Sequence, residues 1–159
     1  LIRIKSGYYT IRIGDYSEDE LIAKLFPDAV LTMECALYVY GYIKRKPYGY
    51  QVAVDKNTSK SRFKLEFPKV TPFYAEPETL HFGVDSIDFG NAKMQIFDKD
   101  RLICECLKYE DKMERTVFKE GVLSYIEDEK KDVAKLMKYA RECGKKSTID
   151  DRGMALNGG

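Results

Sequence analysis

The chain has 159 residues, of which 44% are hydrophobic and 33% are charged, and its formal net charge is +1. Its size fits one domain, or one domain with part of another, its apolar content allows a buried core, and its small net charge excludes a protein whose overall field attracts nucleic acid. No apolar run approaches the ~18 residues of a transmembrane helix, so we expect no membrane partner and a cytoplasmic location.

The first predicted element is a β-hairpin. Residues 1–5 alternate apolar and basic side chains, and residues 8–11 are aromatic or β-branched. The Ser6-Gly7 pair between them is typical of a tight turn. We therefore predict two short antiparallel strands in this part of the sequence.

Two helices are predicted next. Ser17, followed three residues later by Glu20, forms a capping box in front of an apolar stripe that ends at Pro27. The second helix begins after Thr32 and ends at Gly41, and apolar residues surround most of it. We expect this second helix to be largely buried.

The middle of the chain has the pattern of β-strands. Strands are predicted at residues 48–54, 62–67 and 70–75, and as a pair within residues 80–98 that turns at Phe89-Gly90-Asn91. A polar loop at residues 55–60 separates the first two strands. These segments predict a β-sheet at the centre of the domain.

The last third is predicted to be helical, over residues 99–113, 115–127 and 130–143. Each helix has an apolar stripe that faces one side, such as Val133, Met137 and Ala140 in the third helix. Helices, then strands, then helices predict an α/β (α+β) fold, a mixed β-sheet packed with helices. Residues 146–159 show neither periodicity nor caps, and we expect a flexible tail there.

The residue types that most often bind metals form no recognisable site. The four cysteines have no C-x-x-C spacing, and their apolar, helical surroundings favour buried free thiols. The single histidine, His81, lies in a strand pattern without a Cys or His neighbour, so we expect a surface or half-buried strand histidine. We expect no cofactor.

One carboxylate arrangement leaves an enzymatic alternative open. Asp55 ends a predicted strand, and Lys64 and Glu66 share one face of the next predicted strand. Mg²⁺-dependent nucleases use an acid at a strand end together with an acid and a lysine nearby. The order of these residues is reversed from the usual one, and any solvent-facing strand can alternate Lys and Glu. A nucleic-acid-processing enzyme is therefore the alternative hypothesis.

A basic loop is a stronger candidate for binding. Residues 44–64 contain seven basic residues against one acid, Asp55. Within them, the segment DKNTSKSRFK combines cations with short hydroxyl and amide donors, a set suited to phosphate oxygens. Its cations are Lys56, Lys60, Arg62 and Lys64. We predict that this loop binds nucleic-acid phosphates, and RNA remains an alternative partner to DNA.

Four segments in order resemble one family. They are LIRIKSGYYT, AVLTMECALYVYGYI, VAVDKNTSKSRFKLEF and MQIFDKDRLICECLKYEDKM. They are similar to the AbiEi-type antitoxins, which are transcriptional regulators paired with nucleotidyltransferase-like toxins in bacterial type IV toxin–antitoxin and abortive-infection systems. The resemblance implies a winged helix-turn-helix followed by an α/β antitoxin domain. It implies no catalytic residues and no cofactor.

The resemblance also divides the chain. Residues 1–14 would be the wing of a winged helix whose earlier helices are absent from this sequence, residues 15–145 the antitoxin domain, and residues 146–159 the tail. Wing residues that would touch the DNA backbone or minor groove are Arg3, Lys5, Ser6 and Arg12. Such a protein represses its own operon and counteracts its toxin without an obligatory complex.

A further residue matches the family pattern. Arg101 stands at the start of the helix that begins after DKD, and Glu105 follows four residues later. We expect these two side chains to form an i,i+4 pair of the kind found on helix surfaces.

Overall fold

The structure, a computed structural model, describes the backbone of residues 2–5, 9–11, 17–65 and 68–144, and the side chains of residues 17–65 and 68–143. The strands are β1 (Ile2–Lys5), β2 (Tyr9–Ile11), β3 (Val30–Leu31), β4 (Tyr50–Asp55), β5 (Val70–Ala75), β6 (Val84–Phe89) and β7 (Ala92–Phe97). The helices are α1 (Glu18–Leu25), α2 (Met33–Val39), α3 (Pro77–Leu80), α4 (Lys99–Lys108), α5 (Arg115–Glu127) and α6 (Val133–Gly144). Short 3₁₀ helices occur at Lys60–Phe63 and Glu110–Lys112.

Strands β1 and β2 pair antiparallel in a two-stranded sheet of their own. Their register is irregular between Arg3 and Lys5. The predicted hairpin is confirmed, whereas Ser6 and Arg12 lie outside the described residues. The predicted tail, residues 146–159, lies outside them as well.

The other five strands form one mixed sheet in the order β5-β4-β3-β7-β6. Strand β3 lies at its centre and pairs antiparallel with β4 and parallel with β7. The outer pairs are parallel β4–β5 and antiparallel β6–β7. Helices α4, α5 and α6 follow the last strand, so the predicted α/β fold with a helical C-terminal third is confirmed. No helix in the described part of the chain has the length and apolarity needed to span a membrane.

Several local predictions are confirmed at the level of hydrogen bonds. Ser17 Oγ accepts a hydrogen bond from the Glu20 backbone N–H at 3.1 Å, which caps α1. Helix α2 begins directly after Thr32 and buries Met33, Cys35, Ala36 and Leu37, although the Thr32 hydroxyl, expected to cap it, makes no capping hydrogen bond. The β6–β7 turn lies at Gly90 and Asn91, as the sequence predicts. These features depend on contacts between residues close in sequence.

The strand predicted at residues 62–67 is wrong over its first part, where the 3₁₀ helix Lys60–Phe63 occurs instead. This helix lets the Phe63 ring stack on Phe26, the C-cap residue of α1, with centroids 5.4 Å apart. His81 is also not in a strand, because it caps the C-terminus of α3 and is exposed. Strand β6 begins three residues later, at Val84.

The helical third departs from prediction in two places. Helix α4 ends at Lys108, and the 3₁₀ helix Glu110–Lys112 replaces its predicted last turn. In α6, Val133 and Met137 are exposed, whereas Leu136 is half-buried and Tyr139 is buried. The face of α6 that packs inward is therefore shifted from the stripe marked by Val133 and Met137.

Candidate nucleic-acid interface

The loop between β4 and β5 is fixed to α1 by Arg62. Its Nη1 and Nη2 atoms donate to the two carboxylate oxygens of Asp28, each at 2.9 Å. The guanidinium also lies 5.3 Å from the centroid of the Phe26 ring. The hydrogen bond from Arg62 lowers the pKa of Asp28. Arg62, predicted as a phosphate contact, is thus engaged by a carboxylate and anchors the loop; we call residues 56–64 the anchored loop.

A second cation of the anchored loop also has a partner. Lys56 Nζ lies 3.0 Å from Glu76 Oε2, and both side chains are exposed. The hydrogen bond to Glu76 raises the pKa of Lys56. Next to it, Asp55 Oδ1 accepts a hydrogen bond from the Asn57 N–H at 2.8 Å, which closes the turn after β4. Exposed pairs of this kind contribute little to stability, so Lys56 can exchange Glu76 for another anion.

The remaining two cations, Lys60 and Lys64, are exposed at the start of the 3₁₀ helix and directly after it. Neither forms an ion pair with another described residue. The Ser59 Oγ caps the helix by accepting from the Ser61 N–H at 3.2 Å, and the two hydroxyls lie 2.8 Å apart. The anchored loop therefore presents two lysines and two serines on a fixed backbone.

The wing residues can be placed only in part. Arg3 and Lys5 lie on β1, within the described backbone. The carboxylate pair of the enzymatic alternative is likewise incomplete, because Asp55 is described and Glu66 lies outside the described residues. Among the residues that are described, no group of three or more His, Cys, Asp or Glu side chains is arranged to hold a metal ion.

A second basic segment, Lys44 to Lys46, lies at the other end of β4. It precedes the strand, whereas the anchored loop follows it. Because a strand rises ~3.3 Å per residue, six residues put roughly 20 Å between them. The basic region that the sequence suggests from 44 to 64 is therefore divided into two surfaces. The first of these surfaces also carries Tyr48, which is 88% exposed and precedes β4, whereas the sequence predicts it inside a strand at residues 48–54.

The Arg101–Glu105 pair is confirmed, but it is buried rather than on a surface. Arg101 Nε lies 3.1 Å from Glu105 Oε2, and its Nη1 donates to the carbonyl oxygens of Thr79 at 2.7 Å and Phe82 at 2.9 Å. The Asp98 carboxylate caps α4 by accepting from the Arg101 N–H at 2.8 Å. The Nε and Nη1 groups of this buried charge are thus engaged by protein acceptors, which supports the packing of α3 and α4.

Comparison with known proteins adds no further assignment. No protein-family model matches this chain, and no curated protein matches it significantly. The similarity to the AbiEi-type antitoxins therefore depends on the four sequence segments alone.

Proposed function

We propose that this chain is a non-enzymatic, antitoxin-type transcriptional regulator that represses its own operon and counteracts a nucleotidyltransferase-like toxin. DNA is its partner, held by phosphate contacts from the β1–β2 hairpin and the anchored loop. The toxin is a functional partner without an obligatory complex, and both act in the cytoplasm. The observation that carries the proposal is the geometry of the anchored loop.

In the anchored loop, the residue that fixes the backbone is different from the residues that are available to bind phosphate. Arg62 is held by Asp28 at 2.9 Å through two hydrogen bonds, so its charge is already paired with a carboxylate of the protein. Lys60 and Lys64 on either side are exposed, and a lysine on a fixed backbone loses less conformational freedom when it binds a phosphate. Phosphate contacts of this kind position a protein on a duplex without determining its sequence preference. The hairpin would supply the second contact, as wings do.

The test is fluorescence anisotropy on DNA from the protein's own promoter, over a series of salt concentrations. Replacing Lys60 and Lys64 with Ala should reduce the slope of log K against log salt by about two, since each phosphate contact contributes about one. The control is K112A/K119A, two exposed lysines far along the chain, which should bind like the wild type.

Two results would contradict the DNA-binding half of the proposal. An unchanged salt slope in K60A/K64A excludes the anchored loop as a site of phosphate contacts. Absence of promoter binding by the wild type, at low salt as well as at high salt, excludes DNA contacts from this chain and favours the RNA-binding alternative. The antitoxin half is tested separately by co-expression with the cognate toxin. Growth should be restored whether or not the two proteins purify together, and continued growth arrest would reject antitoxicity.

A further inference from the structure

The loop between α2 and β4, residues 41–49, is fixed to the body of the protein at its base. Tyr42 and Ile43 are 6% and 4% exposed, and the Tyr42 hydroxyl donates to Asp128. Ser124 of α5 donates to the Tyr42 carbonyl at 2.8 Å, and the Lys44 N–H donates to Glu120 at 3.0 Å. We call residues 41–49 the aromatic-basic loop, and its backbone is held in place before any ligand binds.

The tip of the aromatic-basic loop combines one ring with cations. Tyr48 is the most exposed large hydrophobic side chain in the described part of the chain, at 88%. Arg45 pairs with the exposed Glu114 at 3.4 Å, whereas Lys44 and Lys46 form no ion pair with a described residue. A ring next to free lysines is the arrangement with which proteins stack bases and follow a phosphate backbone.

A cleft of about 780 Å³ opens beside this tip. Lys44 and Lys46 line it on the side of the loop, and the partly exposed Tyr38 supplies apolar surface. Three carboxylates, Glu18, Asp19 and Asp88, line it as well, and carboxylates accept hydrogen bonds from the amino groups of bases. Ligand pockets generally enclose ~300–1,000 Å³, so the cleft has room for a nucleobase and its sugar.

We propose that the aromatic-basic loop and this cleft bind single-stranded nucleic acid. Tyr48 stacks on one base, Lys44 and Lys46 hold the adjoining phosphates, and the cleft receives the next base. Stacking suits every base, so the site has little sequence preference. It lies at the opposite end of β4 from the anchored loop, and it does not rest on the proposed DNA contact there.

The absence of tryptophan from this chain gives a direct test. Tyr48→Trp introduces a single tryptophan at the stacking position, and titration with oligonucleotides of eight nucleotides should quench its fluorescence. The matched control is Leu123→Trp on α5, which is also exposed, at 58%, and should not be quenched. In anisotropy with labelled oligonucleotides, Y48A should lose about tenfold or more in affinity, and Y48F should retain it. K44A/K46A should lower the salt slope by about two.

Titration with RNA and DNA oligonucleotides of the same sequence shows which of the two nucleic acids the site binds. Binding of RNA alone supports the proposal with RNA as the ligand, because only RNA carries a 2′-hydroxyl. Equal binding of both supports a site for exposed single strands of either kind. The proposal is overturned if Y48W is not quenched, or if Y48A binds as tightly as the wild type. K60A/K64A should leave this binding unchanged, so its outcome is separate from that of the promoter experiment.

Discussion

Arg101 and Glu105 form an ion pair inside the protein, with side chains only 1% and 7% exposed. The Arg101 guanidinium also lies between two rings, 4.3 Å from the centroid of Phe82 and 4.2 Å from that of Phe97. The charge is thus held between two rings and beside one carboxylate. The pair joins α4 to the segment that leads from α3 into β6.

Removing one partner of this pair should be strongly destabilising. Glu105→Ala leaves a buried guanidinium without its carboxylate, a change that typically costs about 3–5 kcal/mol. The control is Glu114→Ala, whose partner Arg45 is 78% exposed, and pairs of that kind are worth about 0–1 kcal/mol. Urea denaturation of both variants measures the difference. Similar losses in the two would show that Arg101 does not need its carboxylate.

Substitutions at two glycines distinguish the cost of backbone strain from the cost of steric conflict. Gly41 and Gly83 have φ values of +77° and +65°, so alanine at either position costs about 1–2 kcal/mol from conformation alone. At Gly41 an added Cβ meets no atom within 4 Å, whereas at Gly83 it lies 2.9 Å from the Arg101 Cβ. G83A should therefore lose roughly 1–3 kcal/mol more than G41A in urea denaturation. Equal losses would mean that Arg101 moves aside without cost.

The carboxylate of Asp128 makes stability depend on pH. It accepts hydrogen bonds from the Tyr42 hydroxyl, from Lys99 Nζ at 2.9 Å and from the Lys130 N–H at 2.8 Å. These bonds, that of Tyr42 above all, hold the pKa of Asp128 well below its ordinary value of 3.8. The stabilisation is complete above the ordinary pKa and disappears as pH falls from there through the lowered pKa.

We therefore expect the difference in urea midpoint between wild type and Asp128→Asn to be constant between about pH 5 and 8. Below about pH 4 the two midpoints should converge as the pH falls. Asp111→Asn, at an exposed carboxylate in the 3₁₀ helix, serves as the control and should match the wild type at neutral pH. A difference between wild type and D128N that persists unchanged at pH 2.5 would assign the effect to packing instead of charge.

The thiols should react in a fixed order. All four cysteines are free, as predicted, and Cys35, Cys104 and Cys106 are buried. Burial raises the pKa of Cys35 to about 12 and also raises the pKa values of the other three. At pH 8, a thiol reagent should modify only the half-buried Cys143 in the native protein, and all four in urea. C143S should abolish the native reaction; rapid loss of two thiols would show that the core opens.

Sequence alone predicts the parts of this fold that short-range contacts determine. The Ser17 cap and the bounds of α5 are of this kind. The 3₁₀ helix at Lys60–Phe63 is not, because it depends on Asp28 and Phe26, more than thirty residues away. The burial of Arg101 depends in the same way on carbonyls of Thr79 and Phe82.

The candidate interface also combines features that follow from the local sequence with features that depend on distant residues. The composition of the anchored loop shows that it is basic. It does not show which of its cations remain unpaired, because their partners Asp28 and Glu76 lie elsewhere in the chain. The sequence places Tyr48 inside the strand predicted at residues 48–54, and an aromatic residue in a strand is as common in a core as on a surface. Only its 88% exposure marks it as available for binding.

Strand β3 has only two residues, Val30 and Leu31, and both are fully buried. It alone joins the β4–β5 pair to the β6–β7 hairpin, and its parallel pairing sets Val30 opposite Gln95. The strands of each outer pair are close in sequence, whereas β3 and β7 are separated by a far longer loop. The pairing of β3 with β7 should therefore be a late step in folding. Amide hydrogens of Val30 and Leu31 should therefore exchange with solvent only when the whole domain opens, so the two halves of the sheet unfold as one cooperative unit.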